Sequence, residues 1–428
     1  MLKKKVAFCF ACLMSGLIVG CHTRQATSEK ELTRIHIVDR DGFKETISVR
    51  DRLAMYANND FLSPQPYQKV TRTYGSNAQG KTVSKVTAYH DNGHISDYLE
   101  LINGRACGIY RSWHPNGQLA IEAFVIEGIG DLGAQAQQSW VFDGMSRAWD
   151  DRGSILAEIY YDKGSLQGNA LYYHNERIQR TVPYEKGMID GQEELYNGLG
   201  KVVGTTTYRK GKKHGLALFK GSKEQPAYSE EYRDDLLIKG LYTDFSGENI
   251  AQIENGTGTK VIYKEGKLVE KQSFCNGLQQ GMVRRFGKGG CLINTFIIKE
   301  EVKEGEEWIY YPLSGEGSPQ PQLYLEWHRG LVHGTTRSWY PNGALESERE
   351  MCENKRHGVA SAWYPDGSVM LIEEYENDLL MTGSYRKKSS MDVVSFVEKG
   401  RGTATLYDFN GRFLKKIQYD QGRPLASQ

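Results

Sequence analysis

The sequence is short of several things at once. Of 428 residues only 11 are proline and 7 cysteine, and Lys plus Arg (54) nearly balances Asp plus Glu (53). A balance so close to neutral gives no electrostatic footprint for a nucleic acid or another polyanion. Long apolar stretches are absent except at the start, where Val6 to Val19 follows Lys3, Lys4 and Lys5. That run is too short to span a bilayer comfortably and reads as the apolar part of a signal peptide. No H-E-x-x-H, G-x-S-x-G or Walker loop occurs, so zinc proteases, α/β-hydrolases and P-loop enzymes are not indicated.

Two strings imitate chemistry. Gly128-Ile129-Gly130-Asp131-Leu132-Gly133 has the spacing of a dinucleotide fingerprint, with Asp150 and Asp151 about twenty residues on. That motif needs a parallel βαβ unit, and the flanking segments read as hairpins; a glycine-rich insertion loop is the expectation. His90 and His94 are four apart, but Asp91-Asn92-Gly93 between them makes a turn and not a helix face. His214, His333 and His357 each precede a regularly placed glycine, so their recurrence needs no metal; we expect no metal site, no cofactor and no enzymatic activity.

What is present is punctuation. The chain holds 47 glycines and 26 tyrosines, turn formers and strand formers. A glycine is followed five positions later by a ring at ten places, from Gly108/Trp113 and Gly144/Trp149 through Gly334/Trp339 and Gly358/Trp363 to Gly402/Tyr407. Another glycine follows the ring by four residues (Gly117, Gly153, Gly343, Gly367), and an apolar residue comes two later (Leu119, Ile155, Leu345, Val369). The period is 24, seen from Tyr184 to Tyr208 and from Trp327 through Met351 to Tyr375. Segments such as Trp339-Tyr340-Pro341-Asn342-Gly343 place proline and glycine where a tight turn needs them, between strands of about six residues. Breaks in the frame at 126–143, 219–233, 312–323 and 384–399 are where side loops or kinks are expected.

The pattern Φ-x-x-G-x-x-x-G-x-x-x-x-Φ-x-x-N-G-x-L resembles the MORN-variant repeat of bacterial proteins grouped as YwqK-family antitoxins, over roughly residues 85 to 425. The resemblance implies an all-β fold: an elongated single-layer antiparallel meander of about thirteen β-hairpin units, with rings lying over the glycines of neighbouring units. It also implies a binding function, in one version neutralisation of a toxin.

Four segments follow along the chain. Residues 1–20 form the signal peptide, ending in Ile18-Val19-Gly20-Cys21, which resembles the lipobox of bacterial lipoproteins; Cys21 would carry a diacylglycerol and begin the mature chain. His22 stands where inner-membrane retention usually has Asp, so the outer membrane is expected if the cell has one. Loss of Lys3 to Lys5 leaves 51 basic against 53 acidic residues. Residues 21–32 are a polar tether. Residues 33–84 read as a cap: a hairpin around Asp41-Gly42, then a helix carrying Leu53, Tyr56 and Phe61. Residues 85–425 are the array. Its four cysteines form neither a zinc site nor a disulfide framework; Cys275 with Cys291 is the pair best placed to oxidise, and isolated apolar thiols are the plainer reading.

The expected function is that of a lipid-anchored scaffold in the cell envelope with a protein partner. The candidate surface is the ring row Trp113, Trp149, Tyr173, Tyr196, Trp339 and Trp363; the same rings could instead be the cover over the array's glycines. An antitoxin or immunity-like protein and a membrane-surface or polymer binder are the alternatives.

Overall fold

A computed structural model describes residues 32–56, 58–223, 225–312 and 318–425. The signal peptide 1–20, Cys21 and all but the last residue of the tether lie outside the described residues. The protein is all-β, an antiparallel meander in which most strands pair with a neighbour along the chain, and it divides into two compact units between Ala217 and Leu218.

In the first unit the outermost strand is Lys44–Ile47, paired with Leu32–Asp39, which pairs in turn with Gln68–Ser76. Together with the helix Arg50–Tyr56 these make a β-β-α arrangement around buried Ile35, Ile37, Ile47 and Leu53, with Tyr56 and Phe61 packed against them. From Thr82–Tyr89 the meander runs hairpin by hairpin to Val202–Arg209. Alternation sorts the side chains. In Arg105–Trp113, Ala106, Gly108, Tyr110 and Ser112 are buried, while the residues between them are partly exposed. Residues on the buried face join Leu99, Leu101, Val125, Ile159 and Val182 in one core.

The second unit repeats the plan from Tyr228–Arg233 to Phe413–Asp420. One core among its described residues is built on Tyr375, Leu380, Tyr385 and Val397.

Two kinds of turn join the strands. The Pro-Asn-Gly and Pro-Asp-Gly loops close on their own side chains, Asn116 Oδ1 accepting from the Gln118 N–H and Asp366 Oδ1 from the Ser368 N–H. The opposite ends are two-residue turns with both residues left-handed, as at Arg329/Gly330 and Lys210/Gly211, which matches the twist of the strands they join.

The first glycine of three frames has a more specific reason. In the pair Leu345–Cys352 and Lys355–Trp363, Arg349 faces Ala360 and Met351 faces Arg356, so three residues centred on Gly358 bulge opposite Glu350 alone. Gly358 has φ 98°, and a Cβ there would lie 1.9 Å from a Glu350 carboxylate oxygen. The same arrangement holds at Gly108 under Glu100 and Gly334 under Glu326. Glu100 and Glu326 also accept the N–H of the residue after the glycine, Ile109 at 3.0 Å and Thr335 at 2.9 Å. At these three glycines the cover expected from rings of neighbouring units is instead a carboxylate from eight positions earlier in the chain, while Gly281 and Gly305 meet Ser273 and Ile297 in the same place. Only a short acceptor reaches the bulged N–H, and a flat ring could not satisfy it.

The frame breaks also differ in detail. Residues 126–143 are no plain loop; they hold a one-turn helix, Ala134–Gln137, and return Trp140 to the core, 4% exposed, edge-on to Tyr110 and Phe142. In 384–399 only residues 387–392 are irregular, since Leu379–Arg386 pairs with Val393–Glu398.

Candidate binding surface

The six rings occupy equivalent places. Each stands at the end of a strand and faces an aliphatic residue across the hairpin, after a one-residue slip in register: Trp113 with Leu119, Trp149 with Ile155, Tyr173 with Ile178, Tyr196 with Val202, Trp339 with Leu345, Trp363 with Val369. All six are half-buried. By alternation Trp113 and Trp149 lie on the face turned away from the core, next to buried Ser112 and Ala148. Trp113 there packs with Tyr89, Ile95 and Tyr98, a cluster separate from the main core. In the second unit Trp339 stacks on Trp308, ring centroids 5.8 Å apart, and Trp308 in turn lies 4.6 Å from Tyr324. Trp113 and Trp339 thus both pack against neighbouring rings and keep a partly exposed side.

The four tryptophans of the row are fixed further by their own backbones. Each carbonyl accepts a hydrogen bond from a side chain of the preceding turn: His90 Nε2 to Trp113 at 2.9 Å, His114 Nε2 to Trp149 at 3.0 Å, Tyr311 Oη to Trp339 at 2.6 Å and Tyr340 Oη to Trp363 at 2.8 Å. Successive loops are thereby tied together, and the backbone that carries each tryptophan is fixed. His90 and His94 are turn residues, as expected; His333 and His357 are exposed first residues of glycine bulges.

Two residues before three of the tryptophans stands an arginine that sequence reasoning did not single out. Arg111 pairs with Glu122 at 2.7 Å, Arg147 with Glu158 at 2.8 Å, and Arg337 with Glu348, each directly across the ladder. The signal was in the sequence as Arg at ring minus two and Glu eleven residues after that Arg. Tyr173 adds its hydroxyl to Glu158 at 2.8 Å. The hydrogen bonds from Arg147 and Tyr173 hold the Glu158 carboxyl below its usual range, while burial and that same carboxylate push Tyr173 up to about 12. These charges are matched one for one, so Trp113, Trp149 and Trp339 each stand beside a neutral ion pair.

Other sequence candidates fall elsewhere. The glycines of Gly128 to Gly133 serve packing: a Cβ at Gly128 would meet Trp140 at 2.5 Å, and one at Gly130 would meet the Gly104 carbonyl at 2.2 Å. Their strand, Leu119–Glu127, is antiparallel to its neighbours, and the helix that follows has four residues, so no phosphate-binding βαβ unit exists there. Cys107, Cys275, Cys291 and Cys352 are free thiols, and Cys275 is not bonded to Cys291. Among the described residues no group of three or more His, Cys, Asp or Glu side chains is gathered as a metal would need.

Fold and surface together define an antiparallel β-hairpin repeat protein. Residues 106–126, 332–352 and 356–377 match the MORN repeat variant family, and each stretch is one hairpin with its Pro-Asn-Gly or Pro-Asp-Gly loop. These three stretches of the chain are MORN-variant repeats. No curated protein matches it.

Proposed function

We propose that this chain is a non-catalytic interaction scaffold of the cell envelope, anchored by a lipid on Cys21 and binding a protein partner along its ring-bearing face. MORN repeats are generally protein- or membrane-binding, and that supports a binding role over turnover. The single observation that carries the reading is the tryptophan row with its carbonyls tied by the preceding turn. Large rings held in place present contact area with little rotamer entropy left to lose on association. Export as a lipoprotein rests on the lipobox-like end of the first twenty-one residues, and an outer-membrane address on His22. Within this reading the partner could be an envelope-acting toxin, as the likeness to the YwqK-family repeat suggests.

The experiment is cross-linking in intact cells with Trp113→Leu/Trp149→Leu and Trp339→Leu/Trp363→Leu variants, which keep apolar cover over each hairpin but remove the ring. A partner captured by the native protein should be lost from at least one variant whose melting temperature is unchanged. Capture that is indifferent to all four substitutions would exclude the ring face, and a Cys21→Ser protein that still fractionates with membranes would exclude lipid anchoring.

A further inference from the structure

Arginine stands two residues before four of the regularly placed rings, and one of these, Arg284 before Phe286, lacks what the other three have. Arg111, Arg147 and Arg337 each face a glutamate directly across the ladder, eleven residues on. At the same offset and in the same register Arg284 faces Thr295. On the other side Arg111 has Tyr98, Arg147 has Glu122 and Arg337 has Tyr324, whereas Arg284 has Lys271. Two cations thus stand directly opposite each other where the array elsewhere matches its charges, and like charges so placed weaken a sheet.

Nothing beside the pair offsets it. Lys271 has Val261 across its other ladder and Val269 and Ser273 two places along its strand, and Arg284 has Met282 and Phe286 two places along. The adjacent Glu270 belongs to the opposite face, where it pairs with Arg285 at 2.7 Å. Arg284 is exposed and Lys271 half-buried, and neither has an ion-pair partner among the described residues. The rung continues from Arg284 through Thr295 to Trp308 and Tyr324, so the cations share a face with rings, Trp308 being stacked on Trp339. Met282 and Ile297, exposed and directly across from each other, add an apolar margin.

We propose that Lys271 and Arg284 receive the carboxylates of an acidic segment of the protein partner, whose flanking apolar side chains lie on Met282, Phe286 and Ile297. The inference rests on the reading of the ring face as a protein-binding surface and states the chemistry of that partner. Two cations bounded by Val261 and Thr295 suit one or two carboxylates, whereas a nucleic acid or other polyanion needs a track of them. The near-neutral chain gives an anionic membrane no long-range attraction. An apolar margin strengthens the ion pairs by excluding water, and the partner gains further by relieving a repulsion that the free protein carries.

The test titrates the full chain with a short peptide, two aspartates set between leucine and phenylalanine with glycine at each end, and with a twin carrying asparagine for aspartate. By calorimetry the aspartate peptide should bind about tenfold more tightly than its twin, as expected for two partly exposed ion pairs. Lys271→Gln/Arg284→Gln should abolish that difference. Thr295→Glu should abolish it too, by giving Arg284 the glutamate its three counterparts have, and without peptide this variant should melt about 2 °C above the parent, which separates loss of binding from loss of fold. A partner lost from Trp339→Leu/Trp363→Leu but fully captured by Thr295→Glu overturns the cation pair alone. A preference for aspartate that Thr295→Glu removes, with capture indifferent to every tryptophan, overturns the ring reading and upholds the pair. The proposal also falls if the twin binds as tightly, if Thr295→Glu leaves the difference in place, or if phosphatidylglycerol vesicles bind through the pair and the peptide does not.

Discussion

Tyr242 donates a 2.6 Å hydrogen bond from Oη to Glu230, laying its ring over Gly240, the residue directly across the ladder from that glutamate. Tyr232 adds a second bond at 2.8 Å, and Lys260 an ion pair at 2.6 Å. The same set recurs with the same spacing at Glu373, Tyr375, Gly383 and Tyr385, where Arg356 lies 4.0 Å over the Tyr375 ring. A glycine opposite the carboxylate leaves the space through which the tyrosine two residues on can bend back.

Glu230 should carry an acid-sensitive share of the second unit's stability. Burial alone raises its proton affinity, but Lys260 and the two tyrosine hydroxyls outweigh burial, so its carboxyl sits below the usual 4.5. A depressed folded pKa stabilises above the unfolded value, and that contribution is lost as pH falls through the folded one. Glu230→Ala should cost about 3 kcal/mol at pH 7, since Lys260 and two hydroxyls lose their acceptor. Urea midpoints of variant and parent should converge below the ordinary carboxylate range; an undiminished gap at pH 3 would contradict this.

Two glycines should respond differently to alanine. Gly358 combines left-handed backbone with Glu350 pressed against it, whereas Gly367 has φ 84° and nothing within 4 Å. Gly367→Ala should cost only the backbone term, roughly 1 kcal/mol, and Gly358→Ala about 2 to 3 kcal/mol as the glutamate is displaced as well. Equal losses by denaturant unfolding would show that the carboxylate cover is immaterial.

Trp140 should hold the insertion down. It is buried against Tyr110 and Phe142, and its Nε1–H donates to the Ile129 carbonyl at 2.9 Å. Trp140→Ala should destabilise the first unit by about 3 to 5 kcal/mol. Amides of 128–139 should then exchange freely; protection equal to the parent's would mean the loop stands without its anchor.

Glu301 should be improvable. It occupies the second position of a two-residue turn with φ 66°, where most other units have glycine. Glu301→Gly relieves a left-handed side chain and should raise stability by about 1 kcal/mol, visible as a higher melting temperature. No gain would show that the strain is already relaxed.

Most of the architecture was legible because it is local. Glycine, ring, loop and aliphatic residue lie within one hairpin, and a two-residue alternation with turn residues at fixed offsets specifies strands, turns and pairing without reference to anything distant. The cap was legible for the same reason, its Asp-Gly turn and Leu53 being near neighbours.

What the sequence did not disclose depends on which atoms meet after the strands align. Glu350 reaches Gly358 only because the bulge sets three residues against one, and Arg147 faces Glu158 only in the final register. Trp140 was hidden inside a stretch that broke the repeat. Short-range rules determined that this chain folds as stacked hairpins; only tertiary packing decided which carboxylates cover its glycines and how its rings divide between cover and surface. Those outcomes depend on distances of a few ångströms between strands, which no spacing along the chain encodes.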